Sequence, residues 1–334
     1  MRKGLAIVLM GTVLAALWIG MAVAGEKKII RISNGVNDVH PAVLGGKKFK
    51  EVVEAKLGSK YEIQVYANAQ LGDDVRATES VRAGQLEMVV PSTSPLTGLN
   101  KDLMVFDLPF LFPNSIVANK VLQGPIGVRL LDSMSPKGLK ALAYWENGFR
   151  QLSNSVREVK SPADVKGLKI RTMENPMHLA AWRALGANPT PMPFSEVFTA
   201  MQQKTIDGQE NPVVVIYLQK FNEVQKYVTL TGHIYTPFLL LMNQKLWDGM
   251  PADDQKVFME GAVAGREYIL QLNREMTDTQ IKKLREAGMT ITELTPQQLK
   301  AFQDAVQPVY TQFEERIGKK LVDEIRAEVK KYAN

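Results

Sequence analysis

The sequence contains no cysteine among its 334 residues and only three histidines, His40, His178 and His233. Without thiols it has neither disulfides nor thiolate metal sites, and it cannot be tethered as a lipoprotein through an N-terminal cysteine. No histidine has a second one at metal-ligand spacing, which leaves each as a structural residue or a ligand contact rather than part of a metal centre. Catalytic signatures are missing as well: there is no G-x-S-x-G elbow, no S-x-x-K, no G-x-x-x-x-G-K and no G-x-G-x-x-G. Charge of one sign is nowhere concentrated, since the formal +6 comes from 41 basic and 35 acidic residues without a block of either. That distribution excludes nucleic acid as a partner. Beyond residue 23 no apolar run is long enough to cross a bilayer, and no repeat or low-complexity tract interrupts the chain.

What is present begins with a leader. Arg2 and Lys3 form a charged start, residues 5–23 an apolar run, and Ala22-Val23-Ala24 a small-residue cleavage site, so 1–24 read as a cleavable signal peptide and the mature chain as a soluble protein of an envelope compartment. The alternative is an uncleaved anchor, because the run approaches spanning length. Roughly 310 residues follow, more than one core usually supports, and two domains are expected.

The pattern of these residues is α/β. Alternation at 29–33, an amphipathic run at 40–57 and EIQVY at 62–66 give strand, helix, strand. Asp73 and Asp74 stand at the cap and first turn of the next helix, and 86–90 reads as a buried strand. Such alternation predicts a largely parallel sheet whose carboxyl ends carry the site. Asn34 and residues 92–94 then lie at its mouth. KALAYWE at 140–146 continues through Asn147-Gly148 into Arg150 and Gln151, and the glycine marks a hinge crossing into a second sheet. There Asn175-Pro176 caps a helix that Gly186 ends, and another helix covers 196–203. The chain returns through apolar strands near Val228 and Phe238. Beyond Pro251 a helical pattern runs almost unbroken to Gly288, too long for one small domain; Thr295-Pro296 then begins another helix as cap and first turn, and two closing helices rich in Glu and Lys end the chain.

Arg171 is the residue that demands an explanation. In LKIRT at 168–172 it stands in a short buried strand, and burying a guanidinium alone costs several kcal/mol. It either pairs internally with Asp207 or Glu210 or presents its planar fork to an external carboxylate. Neighbouring residues have equally plain alternatives: Phe194 as core, Asn211 before Pro212 as a cap, Asp207-Gly208 as a turn.

Several blocks together resemble the solute-receptor subunits of tripartite ATP-independent periplasmic (TRAP) transporters, the receptors of C4-dicarboxylates and sialic acid. They are ISNG at 32–35, QLGDD at 70–74, DLPFLF at 107–112, NGFRQLSN at 147–154, ALGANPTPMPFSEVFTAMQ at 184–202, DGQENP at 207–212 and FNEVQKYVTLTGH at 221–233. The resemblance implies a two-domain periplasmic-binding-protein-like fold, 25–147 plus 237–276 as one domain and 148–236 plus 277–334 as the other, with a long helix spanning both. It implies a periplasmic receptor that delivers a small carboxylate solute to small and large membrane subunits, needing no cofactor or metal and performing no chemistry. By the same resemblance Arg171 clamps the carboxylate, Arg150 adds a second cation, Asn211 donates to the same group and Phe194 packs against arginine and solute. Asn34 and Asp74 match positions that meet the solute's polar end. Sialic-acid receptors carry Glu and Arg after the third strand, where this chain has Ser92 and Pro95, a departure from that specificity. Glu174 and Asn175 bring an acid and an amide near the clamp, with Trp145, Phe149, His178 and Tyr235 as further lining. Such a wall suits a sugar acid, a dicarboxylate, or an aromatic or amino acid. The rival readings are an envelope enzyme with Glu174, Asp74 or His178 as base, and a sensory module.

Overall fold

The computed structural model describes residues 26–333, so the leader lies outside the described residues. The chain opens with β1 (Lys28–Asn34), α1 (Pro41–Leu57), β2 (Tyr61–Tyr66), α2 (Asp74–Arg82) and β3 (Met88–Val90). His40 caps α1, its Nδ1 accepting from the Ala42 amide at 3.1 Å, and Asp73 caps α2 by accepting from Val75 and Arg76. After α3 (Ser115–Gln123) and α4 (Pro125–Asp132) comes β4 (Leu139–Phe149), which runs on with only Arg150 between it and β5 (Gln151–Asn154). The middle of the chain forms α5 (Pro162–Val165), β6 (Lys169–Thr172), α6 (Pro176–Ala184), β7 (Asn188–Pro191), α7 (Val197–Gln202), β8 (Gly208–Asn211), α8 (Val213–Leu218) and β9 (Tyr227–Leu230). Then follow β10 (Tyr235–Asn243), α9 (Gln244–Asp248), α10 (Ala252–Glu286), β11 (Thr290–Glu293), α11 (Pro296–Ala305), α12 (Gln307–Ile317) and α13 (Lys319–Ala333).

The strands form two sheets, β2-β1-β3-β10-β4 and β11-β9-β5-β8-β6-β7. Each is mixed rather than wholly parallel: β10 is antiparallel to both its neighbours, and so is β5. The connectivity explains the reversal. β1, β3, β4, β6 and β8 end at a cleft between the sheets, whereas β5 and β10 begin where the chain has just crossed and must run away from it. The two crossings are neighbours, with the Arg150 amide donating to the Ile234 carbonyl at 2.8 Å.

The long helix α10 has 35 residues and is about 52 Å long. It packs on α1 and β4 of the first lobe and on α8 and β11 of the second. Asp253 and Asp254 in its first turn and Lys283 and Arg285 in its last complement its dipole. Its contact with α1 depends on glycine, because a Cβ at Gly265 would fall 2.7 Å from the Trp145 ring and 2.9 Å from the Gly45 carbonyl oxygen. Ile30, Ile32, Phe49, Trp145, Phe258 and Ile269 fill the core beneath. After β11 three helices close the chain as expected, Thr295 capping the first with proline behind it, and the last of them packs back on α3 of the first lobe. The helix expected at 196–203 starts as a single 3-10 turn, Phe194–Glu196, before α7.

Candidate functional site

Arg171 stands in β6, between β8 and β7, and is 2 % exposed. Its Nε and Nη2 both donate to the Met192 carbonyl, at 2.9 and 2.7 Å, and its guanidinium carbon lies 5.9 Å from the centre of the Phe194 ring. Among the described residues no carboxylate comes within ion-pair distance of it. Burial lowers its pKa to about 10, and the Arg150 charge adds to that, against the opposing pull of Glu210, Asp74 and Glu174. It is a cation held in place by a neutral acceptor and a ring, with its charge unanswered.

The internal pairing open to Arg171 is instead taken by Arg150. That side chain, 1 % exposed, places Nε on Glu210 Oε2 and Nη2 on the Glu210 carbonyl, with Nη2 also 3.1 Å from Glu210 Oε1 and from Asn211 Oδ1. Burial alone would raise the Glu210 pKa, but Arg150 and the imidazoles of His178 and His233 hold it well below the carboxylate range. Asp207 is occupied too, its Oδ2 accepting from the Lys169 amide at 2.8 Å. Asn211 turns its amide nitrogen to Gln209 Oε1. Arg150, Arg171, Asn211 and Phe194 all line the cleft.

The facing wall comes from the first lobe. Asp74 Oδ2 accepts from the Ser92 amide at 3.0 Å. Burial pushes the Asp74 carboxyl up to about 6, helped by Asp73 and Glu174 and opposed by the Ser92 amide and Arg171. Ser92 is 3 % and Asn147 5 % exposed, and Ser92 Oγ and Asn147 Oδ1 have no hydrogen-bond partner. Asn147 owes its place to a bulge: Glu146 pairs with Pro237 and Gly148 with Thr236, so the residue between them is left out of the ladder. Glu174 is exposed at the rim, and lost hydration with the nearby Asp73 raises its pKa. The empty space between these walls, mouth included, is about 530 Å³, within the range of small-ligand sites.

Six expected site residues, Asn34, Asn175, Trp145, Tyr235, His178 and Phe149, lie outside the cleft lining. Asn34 sits one residue short of the cleft, its Oδ1 accepting from the Val36 amide at 3.1 Å, while Gly35 and Val36 line the space. Asn175 caps α6 and donates to the Ser94 carbonyl and to Asp107 Oδ2, at 3.1 and 2.8 Å, fastening α6 to the first lobe. Trp145 points at α10, its Nε1 donating to the Ala262 carbonyl at 3.0 Å. Tyr235 donates to Glu146 Oε2 at 2.9 Å between the rings of Phe112 and Phe149. His178 is likewise internal, 2.9 Å from Asp107 Oδ1, and against the pull of burial Asp107 and Glu210 raise its pKa. Asn147, Met173, Val215 and Phe238, by contrast, line the cleft without having been singled out as solute contacts. Only Asn147 carried a signal, the Asn-Gly pair at the end of a long strand. No cluster of three or more His, Asp or Glu residues among those described is arranged for a metal.

Comparison with known proteins places these features in context. The family profile of bacterial extracellular solute-binding proteins, family 7, matches residues 32–316. A solute-binding protein of Verminephrobacter eiseniae is 46 % identical over 84 % of this chain and 83 % of its own. The crystal structure of the sugar acid binding protein of Advenella mimigardefordensis, in complex with galactonate, superposes with a TM-score of 0.89 at 38 % identity, covering 91 % of this chain and 98 % of that one. A TRAP periplasmic solute binding protein of Shewanella oneidensis with bound succinate gives 0.88 at 34 % identity, over 91 % of this chain and 99 % of its own.

Proposed function

Since the chain belongs to the bacterial extracellular solute-binding proteins of family 7, we propose that it is the periplasmic receptor of a TRAP-type secondary transporter. It takes up a small organic acid in the cleft between its lobes and hands it unchanged to small and large membrane subunits. One observation carries the reading: Arg171 is 2 % exposed, borders the cleft and has no carboxylate partner among the described residues. A buried charge without a counterion is costly, and a solute carboxylate in the cleft removes that cost. Related receptors are consistent with such a solute, one holding galactonate and another succinate.

The mechanism follows from where the contacts originate. Arg171, Phe194 and Asn211 belong to the second lobe, Asp74 and Ser92 to the first, and Asn147 and Arg150 flank the crossing glycine Gly148, whose φ is +118°. A solute that touches both walls binds the closed arrangement more tightly than the open one, and it shifts the equilibrium by that difference in affinity. Closure then displays a surface for the membrane subunits. The division of the chain at 147/148, 236/237 and 276/277 and the leader-directed export are parts of this reading. A thermal-shift screen of organic acids tests it. An acid present at 100 times its dissociation constant adds about 2.7 kcal/mol of stability, whereas a flat response across monocarboxylates, dicarboxylates and sugar acids would remove the basis of the proposal.

A further inference from the structure

The cleft is unequal in charge. Of its two buried arginines, Arg150 is matched by Glu210, so Arg171 alone is left to answer an incoming anion. The first-lobe wall facing it presents Asp74, and Glu174 stands at the rim on Arg171's own lobe; neither has an ion-pair partner among the described residues. One carboxylate is therefore welcome and a second is not, since it would be pressed against like charge.

The uncommitted groups on that wall also ask for something specific. Asp74 uses only Oδ2, on the Ser92 amide, and Gly35 leaves its Oδ1 uncovered, because a Cβ at Gly35 would lie 3.3 Å from that oxygen. Asn147 Oδ1 and Ser92 Oγ border the same space, more than nine-tenths buried and unpartnered. Asp74 Oδ1 and Asn147 Oδ1 can only accept hydrogen bonds, and Ser92 Oγ can accept or donate. Buried polar atoms of this kind cost free energy until something pairs with them, so the missing partner is a molecule with donors spread along its length. An α-ammonium would supply donors, but one carbon from the carboxylate, where it would bring a second positive charge beside Arg171.

We infer that the solute is a polyhydroxylated monocarboxylate, its carboxylate on Arg171 and its hydroxyls on Asp74, Ser92 and Asn147, and that dicarboxylates of the same length are rejected. The inference rests on the receptor reading above and narrows it to one class of acid. Facing like charges across a desolvated site weakens binding on the order of 100-fold.

The test is titration calorimetry of the mature protein at pH 7.5 with 2,3,4-trihydroxybutanoate, a six-carbon aldonate, an α-amino acid and succinate. The better hydroxy acid should bind on the order of 100-fold more tightly than succinate, and Asp74→Asn should shrink that ratio roughly tenfold by weakening the hydroxy acid and strengthening the dicarboxylate. If Asp74→Asn fails to fold, Ser92→Ala serves instead and should weaken the hydroxy acid more than it weakens succinate, again shrinking the ratio. Succinate or the amino acid binding within roughly tenfold of the better hydroxy acid, or a ratio untouched in the folded variant, overturns the inference and leaves the receptor reading standing. Failure of every acid to bind overturns both.

Discussion

Replacing Arg171 by methionine should separate two quantities that normally fall together, the stability of the empty protein and its affinity for solute. In the empty cleft the guanidinium stays charged although burial and Arg150 bring its pKa down from 12.5 to about 10, a burden of about 3 kcal/mol. Methionine removes that burden and fills similar space. It forfeits the charged hydrogen bonds to the Met192 carbonyl, worth about 1.5 to 3 kcal/mol, and the stacking on Phe194, worth about 0.5 to 1 kcal/mol. The two sides nearly cancel, so the solute-free variant should match the parent within about 1 kcal/mol in urea denaturation. Affinity behaves differently. Loss of the partner to a buried carboxylate costs about 2 to 5 kcal/mol, or about 30-fold to several thousandfold in Kd. Arg150→Met is the control, because it strands the buried Glu210 carboxylate and should destabilise the fold by about 3 to 5 kcal/mol. Equal destabilisation by the two substitutions would mean that the protein already neutralises Arg171. An unchanged Kd for a hexonate in calorimetry would mean that the carboxylate binds elsewhere.

Two further expectations concern the framework. His40 is buried and held neutral, with a pKa of about 3 caused by burial, and as cap of α1 its Nδ1 must be free to accept. The folded protein therefore binds fewer protons here than the unfolded chain between pH 6.5 and 3; this contribution is complete above pH 6.5 and lost on acidification through that window, about 3 kcal/mol between pH 7.5 and 4. His40→Asn, a cap that does not titrate, should shed that share of the acid sensitivity in paired urea titrations, and an identical pH slope would refute the assignment. At the α1–α10 contact, Gly265→Ala should destabilise by about 1 to 3 kcal/mol through crowding of Trp145 and the Gly45 carbonyl, although helix propensity alone favours alanine. A gain in urea midpoint would disprove the close approach.

How far the sequence reveals the protein depends on whether local or distant partners decide a residue's part. Periodicity exposed β1, α1, β2 and the long helix, since each buries a regular stripe and carries a cap or a terminating residue of its own, such as His40 or Gly288. The element β11 escaped because TITE acquires its ladder only from β9, and β7 because Asn188–Pro191 contains two prolines and is an edge strand. In the site, Arg171 was conspicuous as a charge in a buried strand. The choice between Arg150 and Arg171 for Glu210 could not be read along the chain, since it turns on β5 lying antiparallel to β8 with Gln151 opposite Asn211. Trp145 and Asn147 have the same parity in β4, and alternation would put them on one face. The bulge at Thr236 and Pro237 intervenes, leaving the indole against α10 and the amide at the cleft.

The threading of the chain bears on how such a molecule can diversify. In the first sheet β10 lies between β3 and β4, yet it is encoded after the whole of β5 to β9. No contiguous stretch of gene therefore specifies either lobe, and recombination at a single point cannot swap one lobe for a relative's. A new specificity has to arise by substitutions accumulating in both walls of one inherited frame, or by exchange of nearly the entire coding sequence at once.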